Sequence, residues 1–248
     1  MTGEFSDHFS GHAADYSRSR PGYPADLFDW LRDNAPATKR AWDCATGNGQ
    51  AARELSGRFD LVLATDGSSE QLRSRERDSN ACYIVALAEQ PPLSARSIDL
   101  CTVAQAAHWF DLPAFSAQFA RVARPRALLA LWCYTLFRVT PEVDAVVDEL
   151  YGPILGSYWP AGRRHIETEY RDLDLPFEPV TTPAFEMRCR WTLEQTMAYL
   201  GTWSSAARYR AATGADPLDL IHGALVAAWG PGSRDLVWPV HLRCFRAS

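Results

Sequence analysis

No stretch of this chain approaches the roughly eighteen consecutive apolar residues of a membrane-spanning helix, so no membrane partner is expected. Residues 1–10 carry acids and a histidine but no apolar core, and no secretory leader is expected there. Basic charge is also short. There are 25 Lys and Arg against 30 Asp and Glu, a net charge of −5 and a pI near 5.7. That balance argues against a nucleic-acid partner, which calls for a basic face. Local basic clusters such as Arg73, Arg75 and Arg77, which alternate with Ser74, Glu76 and Asp78, read as a solvated helix face. The six cysteines (Cys44, Cys82, Cys101, Cys133, Cys189 and Cys244) include no CxxC pair. They read as buried free thiols, with no metal site, in a cytoplasmic protein. Internal repeats, low-complexity tracts and clear linkers are absent too.

What is present is enough apolar material for one large core: 47% hydrophobic residues beside 22% charged. Apolar runs alternate with amphipathic stretches. Strands are expected at 40–45, at 61–65 ending on Asp66, at 81–86, 97–104 and 127–133, with helices at 50–57, 68–78 and 112–123 between them. Several of these strands are apolar on both faces, which implies a parallel sheet covered on both sides. A helix is also expected around Leu27–Leu31, after the turn-rich Arg20-Pro21-Gly22-Tyr23-Pro24. Beyond Tyr134 the rhythm changes. Helices are expected at 141–151 and 163–173, a strand at 183–191, helices from Thr192 to Trp229 and a last strand at 237–245.

The informative unit is Asp43-Cys44-Ala45-Thr46-Gly47-Asn48-Gly49, followed by Asp66-Gly67. A glycine turn after the first strand lets a ligand approach the backbone at the start of the next helix. An acid at the end of the second strand suits the two hydroxyls of a ribose. Together they point to an adenosine-containing ligand. Ala52 stands where the dinucleotide fingerprint needs its third glycine, and Asp43 would repel a pyrophosphate. A ligand bearing an amino group or a sulfonium would tolerate that carboxylate.

Five segments in order resemble the motifs of class I S-adenosylmethionine-dependent methyltransferases, type 11 branch. They are Asp43–Gln50, Ala86-Leu87-Ala88-Glu89-Gln90-Pro91-Pro92-Leu93, Ser97-Ile98-Asp99-Leu100, Ala107-His108-Trp109-Phe110 and Arg121-Val122-Ala123-Arg124-Pro125. Phe9, Tyr16, Arg20–Pro24 and Leu200-Gly201-Thr202-Trp203-Ser204 resemble the trans-aconitate methyltransferase-like subgroup. The resemblance implies an α/β, Rossmann-like, seven-stranded and mostly parallel sheet with helices on both faces. Its last strand is antiparallel, and a helical lid is inserted after the fifth strand. It implies one domain over 1–248, with a cofactor-covering segment (1–36), a cofactor-binding core (37–134), a helical substrate lid with one core strand (135–232) and a C-terminal strand (233–248).

It further implies that S-adenosylmethionine meets Tyr16, Arg20, Asp43, Ala45, Gly47, Gly49, Asp66, Gly67, Ala88, Glu89 and Gln105. Arg20 would meet the cofactor carboxylate, Ala88 and Glu89 the adenine, and Gln105 the methionine moiety. His108, Trp109, Tyr134 and Trp203 are candidates for the substrate pocket, with His108 either a general base or a pocket wall. Asp43 is open to a second reading as a cap of its own turn, and Asp66 as a helix N-cap. Arg163 and Arg164 read first as a solvated helix face and second as a site for an acidic substrate. The family's usual glycines are replaced at Ala45 and in Pro125-Arg126-Ala127.

The lid aromatics (Tyr151, Tyr158, Trp159, Trp191, Tyr199, Trp203 and Tyr209) suggest a small, mainly apolar methyl acceptor, reacting through a carboxylate, hydroxyl or amine, with S-adenosylhomocysteine as product. A monomer or homodimer is expected. Two other readings stay open: a nicotinamide-dependent oxidoreductase, and a cofactor-binding protein without catalysis.

Overall fold

The computed structural model describes residues 21–74, 80–160 and 162–248. Phe9, Tyr16 and Arg20 lie outside the described residues, as do residues 75–79 of the expected charged helix. No helix among the described residues is long and apolar enough to cross a membrane.

The apolar runs form one sheet. Strands β1 (Arg40–Cys44), β2 (Leu61–Asp66), β3 (Ala81–Val85), β4 (Ile98–Ala104) and β5 (Ala123–Tyr134) are parallel, in the spatial order β3-β2-β1-β4-β5. Three more follow: β6 (Glu178–Val180), β7 (Phe185–Trp191) and β8 (Arg234–Arg246). β8 lies antiparallel beside β5, and β6 and β7 pair with opposite ends of β8. The seven-stranded expectation thus becomes eight segments, the sixth strand being interrupted between Val180 and Phe185. Pro179 sits in β6, the short outer piece, where a missing N–H is tolerated.

Period-two alternation splits the core into two faces. Leu128, Ala130 and Trp132 of β5 join one cluster, and Leu129, Leu131 and Cys133 the other. The first face is covered by α1 (Ala25–Asn34) and α2 (Gln50–Ser56). The second is covered by α4 (Leu112–Val122), which follows the short α3 (Ser69–Arg73) and buries Phe115, Phe119 and Val122. α4 starts cleanly because the Asp111 carboxylate accepts from the Ala114 amide at 3.1 Å and proline occupies the first turn.

The helices after β5 come in two insertions. The first carries α5 (Pro141–Glu149), capped by Thr140, and α6 (Arg163–Glu167). The second, between β7 and β8, carries α7 (Leu193–Gly201), α8 (Ser204–Thr213) and α9 (His222–Trp229). Phe137, Val143, Tyr199, Leu225 and Trp229 extend the first face of the core. Fully buried side chains of this size stabilise by about 1.5–3 kcal/mol each.

α6 ends at Glu167, six residues short of its expected end. Glu169 and Tyr170 take left-handed φ values of 57° and 59°. Tyr170 is fully buried, and its carbonyl accepts from the Arg243 guanidinium. Tertiary contacts of β8 therefore override the local helical pattern.

Candidate functional site

The glycine turn links β1 to α2 at the carboxyl edge of the sheet, beside the point where strand order reverses between β1 and β4. Open α/β sheets bind ligands there. Ala45, Gly47 and Gly49 take φ values of 54°, 58° and 86°. At Gly49 an added Cβ would stand 2.5 Å from the Tyr83 hydroxyl, so only glycine fits. A Cβ on Gly47 would meet nothing nearer than the Gln71 Oε1 at 4.0 Å, which leaves its backbone open to a ligand.

Asp43 lies beneath this turn, only 1% exposed. Its Oδ2 accepts from the Thr46 hydroxyl at 2.5 Å, and its Oδ1 from the Thr102 hydroxyl of β4 at 2.7 Å. Burial raises its pKa to about 6 against those hydrogen bonds, so it is mainly ionised at neutral pH. Asp43 therefore braces the turn and puts negative charge beneath it.

Asp66 ends β2. Its Oδ2 accepts from the Gly47 amide and its Oδ1 from the Ser68 amide, both at 2.8 Å. Ser68, not Asp66, caps α3, its side chain accepting from the Gln71 amide at 3.3 Å. Gly67 is the one residue between them. These two bonds hold the Asp66 carboxylate against the turn. Ala88 is buried in the loop after β3, and the neighbouring Glu89 Oε1 accepts from the Asp111 amide at 3.0 Å. One Glu89 oxygen is thus already used to fix the loop onto the start of α4.

Gln105 follows β4 with a left-handed φ of 55°. Its Nε2 donates to the Tyr134 carbonyl at 3.2 Å, while its buried Oε1 has no hydrogen-bond partner among the described residues. Such an orphaned acceptor costs free energy until a donor arrives. Gln105 also lines a cavity of about 80 Å³, with His108, Trp109, Tyr134, Thr135, Trp159, Arg163, Tyr199 and Trp203 among its walls. The four substrate-pocket candidates therefore converge on one space. Trp109 is 38% exposed, whereas Tyr134 and Trp203 are buried.

His108 sits in a short turn of helix, Ala107–Trp109, with Nδ1 2.9 Å from the Tyr170 hydroxyl. Burial, then the positive charges of Arg163 and His165, lower its pKa to about 3. The imidazole is neutral at physiological pH and too weak a base to hold an abstracted proton. A general base is most effective with a pKa near the working pH. Its geometry suits a pocket wall.

Two readings of the lid change. Arg163 is not on a solvated face: it is half-buried in the cavity wall, whereas Arg164 is exposed. Trp191 belongs to the core, with ring centroids 5.3 Å from Trp238 and 5.5 Å from Tyr199. Tyr83, Thr102 and Thr135 escaped the sequence reading. Tyr83 alone left a signal, an aromatic in an edge strand level with the turn.

The residues around the turn suit a ligand that carries positive charge. Two carboxylates flank the glycines, and Gln105 at the end of β4 keeps a buried amide oxygen unpartnered among the described residues. The methyltransferase domain family, type 11, matches residues 42–131, which hold all of these groups. A methyltransferase of Dictyostelium discoideum is 32% identical over 230 residues, 91% of this chain and 88% of that one. The chain belongs to the class I S-adenosylmethionine-dependent methyltransferases. The solved structure of a type II methyltransferase from Anaeromyxobacter dehalogenans is 45% identical, covers 92% of this chain and 97% of its own, and superposes with a TM-score of 0.87. A Bacillus halodurans methyltransferase, 17% identical with a TM-score of 0.52 over 90% of this chain and 99% of its own, shares the fold. The nicotinamide reading gains nothing from these relatives. As a methyltransferase, the chain has its family's sheet, and the cavity lined by Gln105, His108 and Arg163 belongs to the same molecule.

Proposed function

We propose that this methyltransferase binds S-adenosylmethionine at the carboxyl ends of β1, β2 and β4 and methylates a small-molecule acceptor in the adjoining cavity by in-line displacement, releasing S-adenosylhomocysteine. The glycine turn pinned by Asp43 and Asp66 carries this reading, because it lies at the carboxyl ends of β1 and β2, where open α/β sheets bind ligands. Gln105, at the end of β4, lines the cavity. When bound, S-adenosylmethionine supplies an electrophilic methyl group on a sulfonium. Asp66 accepts from the ribose hydroxyls. Gly47 and Gly49 let the ligand approach the backbone, and the Ala88–Glu89 loop meets the adenine. Tyr134, Trp159 and Trp203 exclude water and align the acceptor, the largest contribution open to residues without a competent base. His108 shapes the cavity without taking a proton. Residues 37–134 thus hold the cofactor and lend His108, Trp109 and Tyr134 to the acceptor cavity, which residues from 135–232 complete.

The test is transfer of labelled methyl from S-adenosylmethionine into fractionated cell extract. Label in the small-molecule fraction supports the reading. Label confined to protein or nucleic acid would sink it.

A further inference from the structure

The cavity wall carries a guanidinium with no acid beside it. Arg163 opens α6, and its Nε donates to the Tyr151 hydroxyl at 2.9 Å. Its guanidinium carbon lies 4.4 Å from the Trp159 ring centroid and 5.2 Å from that of Tyr151. Exposed Glu167 is reached only through Tyr151, whose hydroxyl donates to Glu167 Oε1 at 2.9 Å. Among the described residues no carboxylate lies within ion-pair distance of Arg163, and its terminal amino groups make no hydrogen bond. Arginines that only hold the fold are saturated differently. Arg210 pairs with Asp216 and with the Gly201 carbonyl, and Arg243 donates to the carbonyls of Tyr170 and Leu173.

A guanidinium fixed by two rings, half-buried and unpaired, is costly unless an anion completes it. Its flat fork matches a carboxylate with two parallel hydrogen bonds. The described cavity lining holds this one cation and no carboxylate. The same positive charge opposes protonation of His108 and eases ionisation of Cys133, so its field reaches the cavity and the sheet behind it.

We infer that Arg163 is the specificity-determining residue of the acceptor site, and that the acceptor is a small anion whose charged group pairs with Arg163 while a flat apolar body lies against Trp159 and Trp203. This inference rests on the methyltransferase reading of the cavity.

The test uses the full chain saturated with S-adenosylhomocysteine, titrated with matched probes: cinnamate and cinnamamide, benzoate and benzamide, phenyl phosphate and phenol. Binding is followed by calorimetry and tryptophan fluorescence. The anion of a pair should bind at least tenfold tighter than its neutral partner. A carboxylate or phosphate preference across the pairs identifies the anion. Arg163→Gln should abolish the difference with the S-adenosylhomocysteine affinity unchanged within about twofold. Arg163→Lys should keep part of it, and Tyr151→Phe, a milder change in the same stack, should reduce it. Equal binding of anion and neutral partner would overturn the inference, as would discrimination that persists in Arg163→Gln or no probe binding at all. A folded wild-type chain that does not bind S-adenosylhomocysteine would instead overturn the underlying methyltransferase site.

Discussion

The two sides of the site are built by different means. The cofactor side is made of backbone: a turn of left-handed residues pinned by two carboxylates, with Asp43 below and Asp66 beside it. The cavity side is made of side chains, with Trp159, Arg163 and Trp203 from two insertions closing over Gln105, His108, Trp109 and Tyr134 of the core, aromatic rings around one arginine. The first belongs to the sheet and comes with the family. The second draws on insertions whose inner faces share the sheet's core through Phe137, Tyr199 and Trp203. Sites grafted on a fold in this way set what each protein acts on. Charge divides the same way, with carboxylates at the turn and a guanidinium in the cavity.

Variants can break or sharpen that contrast. The largest effect is expected from Asp43→Ala. It removes the acceptor of two buried hydroxyls and should cost about 3 kcal/mol, since hydrogen bonds to a charged group contribute more than neutral ones. Denaturant unfolding measures this, and a loss below about 1 kcal/mol would show that the brace is not needed.

A moderate effect lies in the pH dependence of stability, where the two sides should act with opposite sign. His108 has its folded pKa lowered from 6.5 to about 3, so its contribution is complete above 6.5 and is lost as pH falls toward 3. Asp43 has its folded pKa raised from 3.8 to about 6, so its contribution is complete below 3.8 and is lost as pH rises through 6. Between pH 6 and 4, His108→Gln should lose less stability on acidification than the wild type, and Asp43→Asn should lose more. Melting temperatures across that range give the answer. Parallel curves for all three proteins would remove the electrostatic distinction between the sides.

The smallest effect concerns the turn alone. Ala45 holds a left-handed φ of 54°, which costs an alanine about 1 kcal/mol that a glycine avoids. Ala45→Gly should therefore stabilise the chain by up to about 1 kcal/mol and leave acceptor discrimination unchanged. A destabilised variant would mean that the methyl group packs usefully.

Much of the turn and the strands that carry it was legible in the sequence because their signals are local. Buried parallel strands read as unbroken apolar runs, as at 61–65 and 127–133, and the Gly47–Gly49 turn and Asp66 sit at strand ends set by those runs. The substituted glycine positions were visible as well. What the sequence withheld was that Ala45 and Arg126 keep left-handed φ values of 54° and 63°. The acceptor side was legible in composition but not in geometry. Arg163 and Arg164 are neighbours on a five-residue helix, too short for periodicity to decide which one faces inward. The end of α6 depends on Arg243, 73 residues beyond Tyr170 in sequence. The weakness of His108 as a base comes from burial and from Arg163, neither of which a linear motif records.

The most direct test of the central claim, that the turn and Asp66 hold an adenosyl sulfonium cofactor, is calorimetric titration with S-adenosylmethionine and S-adenosylhomocysteine, with NAD as control. Micromolar binding of both adenosyl compounds and none of NAD is expected, with Asp66→Ala weakening it by roughly tenfold or more, about 1.4 kcal/mol. Absence of adenosyl binding in folded protein, or affinity untouched by Asp66→Ala, would contradict the account.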